Sequence, residues 1–203
     1  TVIEQQRAVI GQSGGSDAAG KGIWVRPVGN WVDQDAVNSV SGYKMGTYGL
    51  VGGIQSELSA GTALGLGLGY LKSKVDGQDF ANRHRSDIES VQLIGYGRYV
   101  LNDAGWQLDW QGDYTRSNIE EKRAMGFIGR TAQAKYDGDA WHLGVGVSRS
   151  LQVNQLVVKP LVALDWRQFK SDAYSETGAG ALNLQVAGQT VTSTKSLLGA
   201  KAS

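Results

Sequence analysis

The residues of this sequence that could carry chemistry are charged side chains in segments where apolar and polar residues alternate. Seven charges take the polar parity of their segments: Arg26, Arg98, Asp109, Asp113, Lys159, Asp165 and Arg167. Such charges could line a hydrophilic channel or hold a segment of chain inside it. They could also pair across neighbouring strands, since opposite charges that face each other stabilise a sheet modestly. We favour pairing, and the two roles are compatible.

The two histidines do not indicate an active site. His84 lies between Arg83 and Arg85, as in a solvated loop, and His142 takes the polar parity of its segment among glycines. Neither has a second histidine or a carboxylate at metal-ligand spacing, which argues against a metal site. No Gly-x-Ser-x-Gly segment supplies a serine nucleophile, and the chain has 0 cysteines. We therefore expect no catalytic residue, no metal and no cofactor.

Composition points to an all-β chain with no electrostatic preference for nucleic acid. The 203 residues include 29 glycines and only 2 prolines, which is unusual for a helical protein. Lys and Arg number 20 against 19 Asp and Glu, so no global field attracts nucleic acid. No apolar run reaches about 18 residues, which excludes a transmembrane helix from the sequence.

Strict alternation of side chains predicts strands with two different faces. Between Trp106 and Tyr114, one parity contains Leu108 and Trp110, and the other contains only Gln and Asp. The same pattern predicts eight strands near residues 22–32, 43–54, 63–72, 89–101, 105–117, 138–151, 155–169 and 190–202. The inner parity also carries glycines, at 65, 67, 69, 144 and 146. These could clear space for an occupant or bend the sheet.

Aromatic residues at the ends of the apolar parity indicate the two interfaces of a membrane. A lipid-facing band is flanked by such girdles, and we assign Tyr70, Tyr99, Trp106, Tyr114, Trp141 and Trp166 to them. Trp106 and Tyr114 lie eight residues apart, or about 20 Å along the membrane normal at the tilt usual in barrels.

The expected connections alternate between longer and shorter segments, as external loops and periplasmic turns do in outer-membrane barrels. They are residues 33–42, 55–62, 72–89, 102–105, 116–138, 151–155 and 170–189. The sequence therefore predicts an all-β, antiparallel up-and-down transmembrane β-barrel in a Gram-negative outer membrane. We expect residues 1–20 to be a short amphipathic helix and linker, and residues 21–203 to be the barrel part. Because Thr1 is not an initiator residue, we expect the chain to be cut from a longer protein.

Several segments, in order, resemble the translocator (β-barrel) domain of classical autotransporters, and the resemblance covers essentially the whole chain. The first strand of that domain resembles Gly22-Ile23-Trp24-Val25-Arg26-Pro27-Val28-Gly29. Its later strands resemble Gly42-Tyr43, Leu66-Gly67-Leu68-Gly69-Tyr70 and Tyr96-Gly97. The most specific run passes from Lys159-Pro160 through Asp165-Trp166-Arg167 and Tyr174-Ser175-Glu176-Thr177-Gly178-Ala179 to Leu198-Gly199-Ala200.

The resemblance implies a twelve-stranded barrel whose lumen holds a helix leading to an N-terminal passenger, as in type V secretion. It implies outer-membrane lipid, that passenger with its linker helix, and the barrel-assembly machinery as partners, and we expect a monomer. Only eight strands are predicted, so we expect a partial barrel without the last four strands. The alternative is a stand-alone channel or porin-like barrel that conducts small solutes. A barrel enzyme would need a catalytic cluster in the loops, and a soluble sandwich would not explain the girdles.

Overall fold

Eight long strands dominate the computed structural model, which describes residues 21–36, 41–78, 84–101, 105–154 and 156–202. In chain order the strands are β1 (Lys21–Gln34), β2 (Tyr43–Ser59), β3 (Thr62–Gly77), β4 (His84–Val100), β5 (Trp106–Met125), β6 (Arg130–Arg149), β7 (Leu151–Val153), β8 (Leu156–Ser171), β9 (Tyr174–Ser175), β10 (Gln185–Val186) and β11 (Gln189–Ala202). The eight predicted strands are confirmed as β1–β6, β8 and β11. The helix predicted in residues 1–20 lies outside the described residues.

The long strands pair antiparallel, each with the next, in the order β1-β2-β3-β4-β5-β6-β8-β11. This confirms the up-and-down order. The sheet is not closed: among the described residues, β1 pairs only with β2, and β11 pairs only with β8. The sole helical segment described is a short 3-10 turn at Gly180–Leu182, and no described helix has the length and apolar character needed to cross a membrane.

Two of the predicted long loops are instead largely strand. The β3–β4 ladder continues to Asp76 opposite Arg85, and the β5–β6 ladder continues to Met125 opposite Arg130. The prediction of loops at 72–89 and 116–138 was therefore wrong in extent. These segments carry charges on both parities, so periodicity alone resembles a loop, whereas cross-strand ion pairs support the ladder. The expected extra length at one end of the sheet is present as protruding hairpins.

The predicted connection at 170–189 is also ordered as strand. Ser175 pairs with Gln185 in the same register in which Ser171 pairs with Gln189, so β9 and β10 continue the β8–β11 hairpin. The tip closes where the Glu176 amide donates to the Leu184 carbonyl oxygen at 2.8 Å. The hairpin therefore extends well past its last long strand pair.

Candidate functional site: the two faces of the sheet

The outer face of the sheet is apolar and uncovered. Leu66 and Leu68 on β3 are 60% and 63% exposed, while the alternating Gly65, Gly67 and Gly69 are buried. Leu68 lies opposite Leu93, which in turn lies opposite Tyr114. No second layer packs on this face within the described strands. An apolar surface that extends over many strands requires an apolar partner.

The six predicted girdle residues all take the parity of this outer face. Tyr70, Tyr99, Trp106, Tyr114 and Trp141 are exposed, and Trp166 is half-buried. The Tyr114 and Trp141 ring centroids are 5.6 Å apart, and the Arg149 guanidinium lies 5.5 Å from the centre of the Trp106 ring. The structure thus places the six aromatic side chains on one side of the sheet.

The aromatic residues of the upper edge form an inclined line across the strands. Tyr70 is in register with Lys170 on β8 through Val91, Arg116 and Asp139. Trp166 lies four positions before Lys170. Four positions of about 3.3 Å, across four inter-strand steps of about 4.8 Å, give an inclination of about 35°. Strands of a closed barrel tilt by a similar angle.

Two further aromatic residues continue this line. They were not among the predicted girdle residues. Tyr48 on β2 is in register with Lys72, two positions above Tyr70, and Trp31 on β1 is in register with Gly46. Both side chains are exposed on the outer face. Once the inclination is known, their positions follow from the same drift. Without the register, neither residue could be assigned to the line.

The inner face carries the predicted charges, most of them in contact with neighbouring side chains. The Arg98 Nε donates to Asp109 Oδ1 at 3.1 Å, directly across β4 and β5. The Gln107 amide also donates to Asp109, at 2.9 Å, and Lys159 donates to the Gln107 oxygen at 3.3 Å. Arg26 is half-buried on the same parity of β1 as Trp24. Cross-strand pairing is therefore present at this level of the wall.

A second polar group on this face surrounds His142. Its Nδ1 lies 2.5 Å from Asp113 on β5, and its Nε2 lies 2.7 Å from Asp165 on β8. Arg167 donates to the other oxygen of Asp165 at 2.8 Å, and Gln92 donates to Asp113 at 2.9 Å. These side chains connect strands β4, β5, β6 and β8. Asp113, Asp165 and Arg167 were predicted on this face, whereas no role was predicted for His142 or Gln92, because their partners come from neighbouring strands.

The geometry around His142 suits a structural connection between strands. A neutral imidazole donates from only one nitrogen, so two carboxylate partners require a second proton, on the ring or on a carboxyl. No group of side chains able to hold a metal ion occurs in the described part of the chain. Neither ring nitrogen of His142 is hydrogen-bonded to a serine or threonine hydroxyl, since each faces a carboxylate. The imidazole therefore contacts carboxylates on both sides and no side-chain hydroxyl nucleophile.

Asp165→Ala should weaken the wall, whereas Asp165→Asn should preserve it. Alanine leaves His142 and Arg167 without their shared acceptor, at a cost of about 2–3 kcal/mol. Asparagine can still accept from Arg167 while its amide donates to a neutral His142. The measurement is the temperature at which the folded, fast-migrating form is lost on detergent gels. Equal losses for the two variants would contradict the assigned contacts.

Aromatic side chains occupy the space above the inner glycines of β2 and β3. The Trp24 Nε1 donates to the Tyr96 hydroxyl at 2.7 Å, with the two rings edge to face. A Cβ on Gly65 would lie 2.2 Å from Tyr96 Cζ, and one on Gly53 would lie 2.9 Å from Trp24 Cζ2. The inner glycines could either clear space for an occupant or bend the sheet. Gly65 has the first role. The occupant is a side chain of the same sheet.

The tip of the β8–β11 hairpin lies at the same end of the sheet as the β5–β6 turn. It binds to the inner face of β5 and β6. Arg123 on β5 reaches over buried Ala132 and donates to both carboxylate oxygens of Glu176 and to the Leu182 carbonyl oxygen. The Gln133 and Thr177 backbones exchange two hydrogen bonds of 2.9 and 2.8 Å. The tip is therefore held by a charged pair and by sheet-like pairing.

Two tyrosines extend this contact. The Tyr136 and Tyr174 rings stack with centroids 4.2 Å apart, and both hydroxyls donate to the Glu121 carboxylate, at 2.7 and 3.1 Å. Burial raises the pKa of Tyr174 to about 12, with a further contribution from the Glu121 charge. Both phenols therefore remain donors at neutral pH, which keeps the tip in place.

Attachment of the tip should weaken in acid. The hydrogen bonds from Arg123 lower the pKa of Glu176 below its ordinary value. A carboxyl with a lowered folded-state pKa adds stability above its unfolded pKa, and this is lost as the pH falls through the folded value. Hydrogen exchange at the Thr177 and Gln133 amides should therefore accelerate below pH 4.5, beyond the intrinsic change. Glu176→Gln should exchange faster at pH 7 and lose the extra acid effect; an unchanged profile would contradict this.

The uncovered apolar outer face, the polar inner wall and the aromatic line of this open antiparallel sheet are features of outer-membrane β-barrel proteins. More specifically, the chain belongs to the autotransporter translocator family: the family model described as "Autotransporter beta-domain" matches residues 23–203. The fold matches the translocator domain of the autotransporter NalP from Neisseria meningitidis with a TM-score of 0.79 at 19% identity. That match covers 99% of this chain and 68% of the NalP domain.

Sequence relatives are outer-membrane and secreted proteins much longer than this chain. The chain is 26% identical to an "Extracellular serine protease" of Serratia marcescens, over 100% of this chain and 19% of that protein. It is 30% identical to "Outer membrane protein A" of Rickettsia conorii, over 94% of this chain and 10% of the relative. The chain thus spans between a tenth and a fifth of these two relatives, and the family is established for the barrel segment.

Proposed function

We propose that this chain is the membrane-embedded part of an autotransporter that brings a passenger, encoded N-terminally to it, to the cell surface. The observation that carries the proposal is the two-faced sheet within the family match. Its outer face suits lipid, and its inner wall, with hydrogen-bonded charges around Asp109 and His142, suits a hydrated polypeptide segment. A polar wall of this kind keeps a passing chain from adhering to it.

In this proposal the two faces have separate roles. The aromatic line from Tyr70 to Trp166, together with Tyr99 and Trp106, marks the two membrane interfaces, because amphipathic rings prefer that position. Residues 1–20 connect the passenger to residues 21–203, which are the barrel part. Arg26, Arg98 and the other inward charges line the lumen around this segment.

The chain itself is proposed to have no enzymatic activity. Activity would reside in the passenger, and the Serratia marcescens relative is called a serine protease as a whole protein, of which this chain matches 19%. We propose the barrel-assembly machinery as the partner that inserts the strands, and a monomer as the working state. A stand-alone solute channel would need no passenger, and no observation on the described strands favours it.

Surface delivery can be tested on the full-length protein in intact cells. An epitope placed N-terminal to Thr1 should be accessible to antibody and to added protease. The same epitope in a Leu66→Arg protein should be inaccessible, because the barrel does not assemble. An epitope that remains protected in cells where the barrel has assembled would refute passenger export and favour a simple channel.

A further inference from the structure

The outer face of β1–β3 carries an aromatic platform beside lysine residues. Trp31 is 79% exposed and lies flat on glycine backbone: a Cβ on Gly29 would be 3.0 Å from its Cη2, and one on Gly46 would be 3.6 Å from its Cδ1. Because the two glycines have no side chain, the indole ring can lie close to the backbone; a larger residue at either position would occupy that space. One face of the indole rests on the sheet, and the other faces outward.

Lysines stand next to this platform on the same face. Lys74 is in register with Gly46, and Gly46 is the residue under the edge of the indole. Lys72 is in register with Tyr48. Lys72 pairs with Glu89 at 2.6 Å and lies 5.7 Å from the centre of the Tyr70 ring. Lys74 is exposed and has no carboxylate within 4 Å among the described residues. Asp87 on β4 is in register with Lys74 but forms no ion pair with it, so the ammonium is available to an external anion.

The outward cations of β5 and β6 nearest the aromatic line are engaged differently. Arg116 is bound by Asp137 and Asp139, each at 2.7 Å, and Lys135 is bound by Glu120 at 2.8 Å. Their charge is already neutralised by carboxylates on the facing strand. At this level of β5 and β6 these two outward cations are therefore neutralised, whereas Lys74 on β3 is not.

We propose that Trp31, Tyr48, Lys72 and Lys74 form a binding site for the phosphorylated sugar headgroup of an outer-leaflet glycolipid. The inference rests on the proposed function, with the long β5–β6 hairpin on the cell exterior, so that these residues lie at or just above the interface of the outer leaflet. Groups suited to three parts of such a lipid lie close together there. Ile23, Val25 and Pro27 below the platform suit acyl chains, and the free indole face suits the C–H face of a sugar ring. Lys74, which unlike Lys72 is not paired with a carboxylate, suits phosphate.

The test is binding of purified lipid A, with two phosphates on a disaccharide, to the delipidated full-length protein in detergent. Wild-type protein should bind lipid A more tightly than phosphatidylglycerol, which has a phosphate but no sugar ring. Lys74→Gln should weaken lipid A binding about fivefold, the effect of one lysine near a lipid phosphate. Trp31→Leu should weaken it by a similar factor, about fivefold, through loss of stacking, and should leave phosphatidylglycerol binding unchanged.

Matched controls separate this site from general attraction. Lys122→Gln removes an exposed outward lysine of β5, and Trp141→Leu removes an exposed outward tryptophan that has no lysine in register on either side. Both should change the affinity for lipid A by less than about twofold, because interactions of single exposed charges are weak. Equal losses for the controls, or equal affinity of wild-type protein for the two lipids, would overturn the site.

The same variants show whether a failure concerns the site or the barrel. Trp31→Leu and Lys74→Gln proteins should retain heat-modifiable migration and surface accessibility of an upstream epitope while their affinity for lipid A falls. Unchanged affinity in these assembled variants would refute the glycolipid site and leave passenger export standing. Lost migration in every variant, including the controls, would contradict the exposed outward placement of these side chains and with it the site.

Discussion

Gly65→Ala is expected to prevent efficient assembly of the sheet, although it adds only one methyl group. The added Cβ would lie 2.2 Å from Tyr96 Cζ, and the ring cannot move freely because its hydroxyl accepts a hydrogen bond from Trp24. Overpacking of a fixed contact costs about 1–3 kcal/mol or more. The measurement is the fraction of heat-modifiable protein in outer membranes, which should fall at least severalfold.

Two companion variants isolate the cause. Gly95→Ala, on the next strand, places its Cβ no closer than 3.8 Å to any neighbour and should assemble normally. Gly65→Ala combined with Tyr96→Leu should assemble better than Gly65→Ala alone, because the smaller side chain vacates the space. A double variant as defective as the single one would show that Tyr96 is not the obstacle.

Leu66→Arg is expected to block membrane insertion, whereas Gln111→Arg is expected to be tolerated. Leu66 is 60% exposed on the outer face, in register with Ile54 and Gly95. An arginine on the lipid face near the midplane costs about 2–4 kcal/mol. Gln111 lies on the inner face, where its amide donates to Asp113 at 3.0 Å, and an arginine there can make the same contact as an ion pair.

The two arginine variants can be compared in one assay. Heat-modifiable migration and resistance of the barrel to added protease should be retained by Gln111→Arg and lost by Leu66→Arg. Val145→Arg, on the outer face of β6, should behave like Leu66→Arg. Equal damage from inner and outer positions would mean that the faces have been exchanged.

The sequence predicted the strands where a two-residue period is strict. Leu64, Leu66 and Leu68 alternate with glycine, and a one-residue slip of the pairing would reverse both faces. For this reason the parity of the predicted charges and girdle residues agrees with the structure. The outer halves of β5 and β6 follow no apolar pattern, so their length depends on contacts such as Arg116 with Asp139, which only the paired strands reveal.

The contacts on the inner wall could be predicted only in part. The pair of Arg98 and Asp109 flanks a short predicted turn, so facing charges there follow from the hairpin itself. The series of hydrogen bonds from Asp113 through His142 to Asp165 joins three strands. Its geometry depends on the β5–β6 and the β6–β8 registers together. The fastened hairpin tip is similar, because Arg123 and Glu176 are 53 residues apart and no period relates them.

The inclined aromatic line determines which bilayer thickness this domain matches. Between Trp106 and Tyr114 the rise is eight residues, or about 22 Å along the normal at an inclination of about 35°. Strands as long as β5, with 20 residues, exceed that rise, so strand length does not set the hydrophobic thickness. Register does: a two-residue slip along one pair would displace half of the belt by about 5 Å and create hydrophobic mismatch, which the lipid must absorb by thinning or thickening.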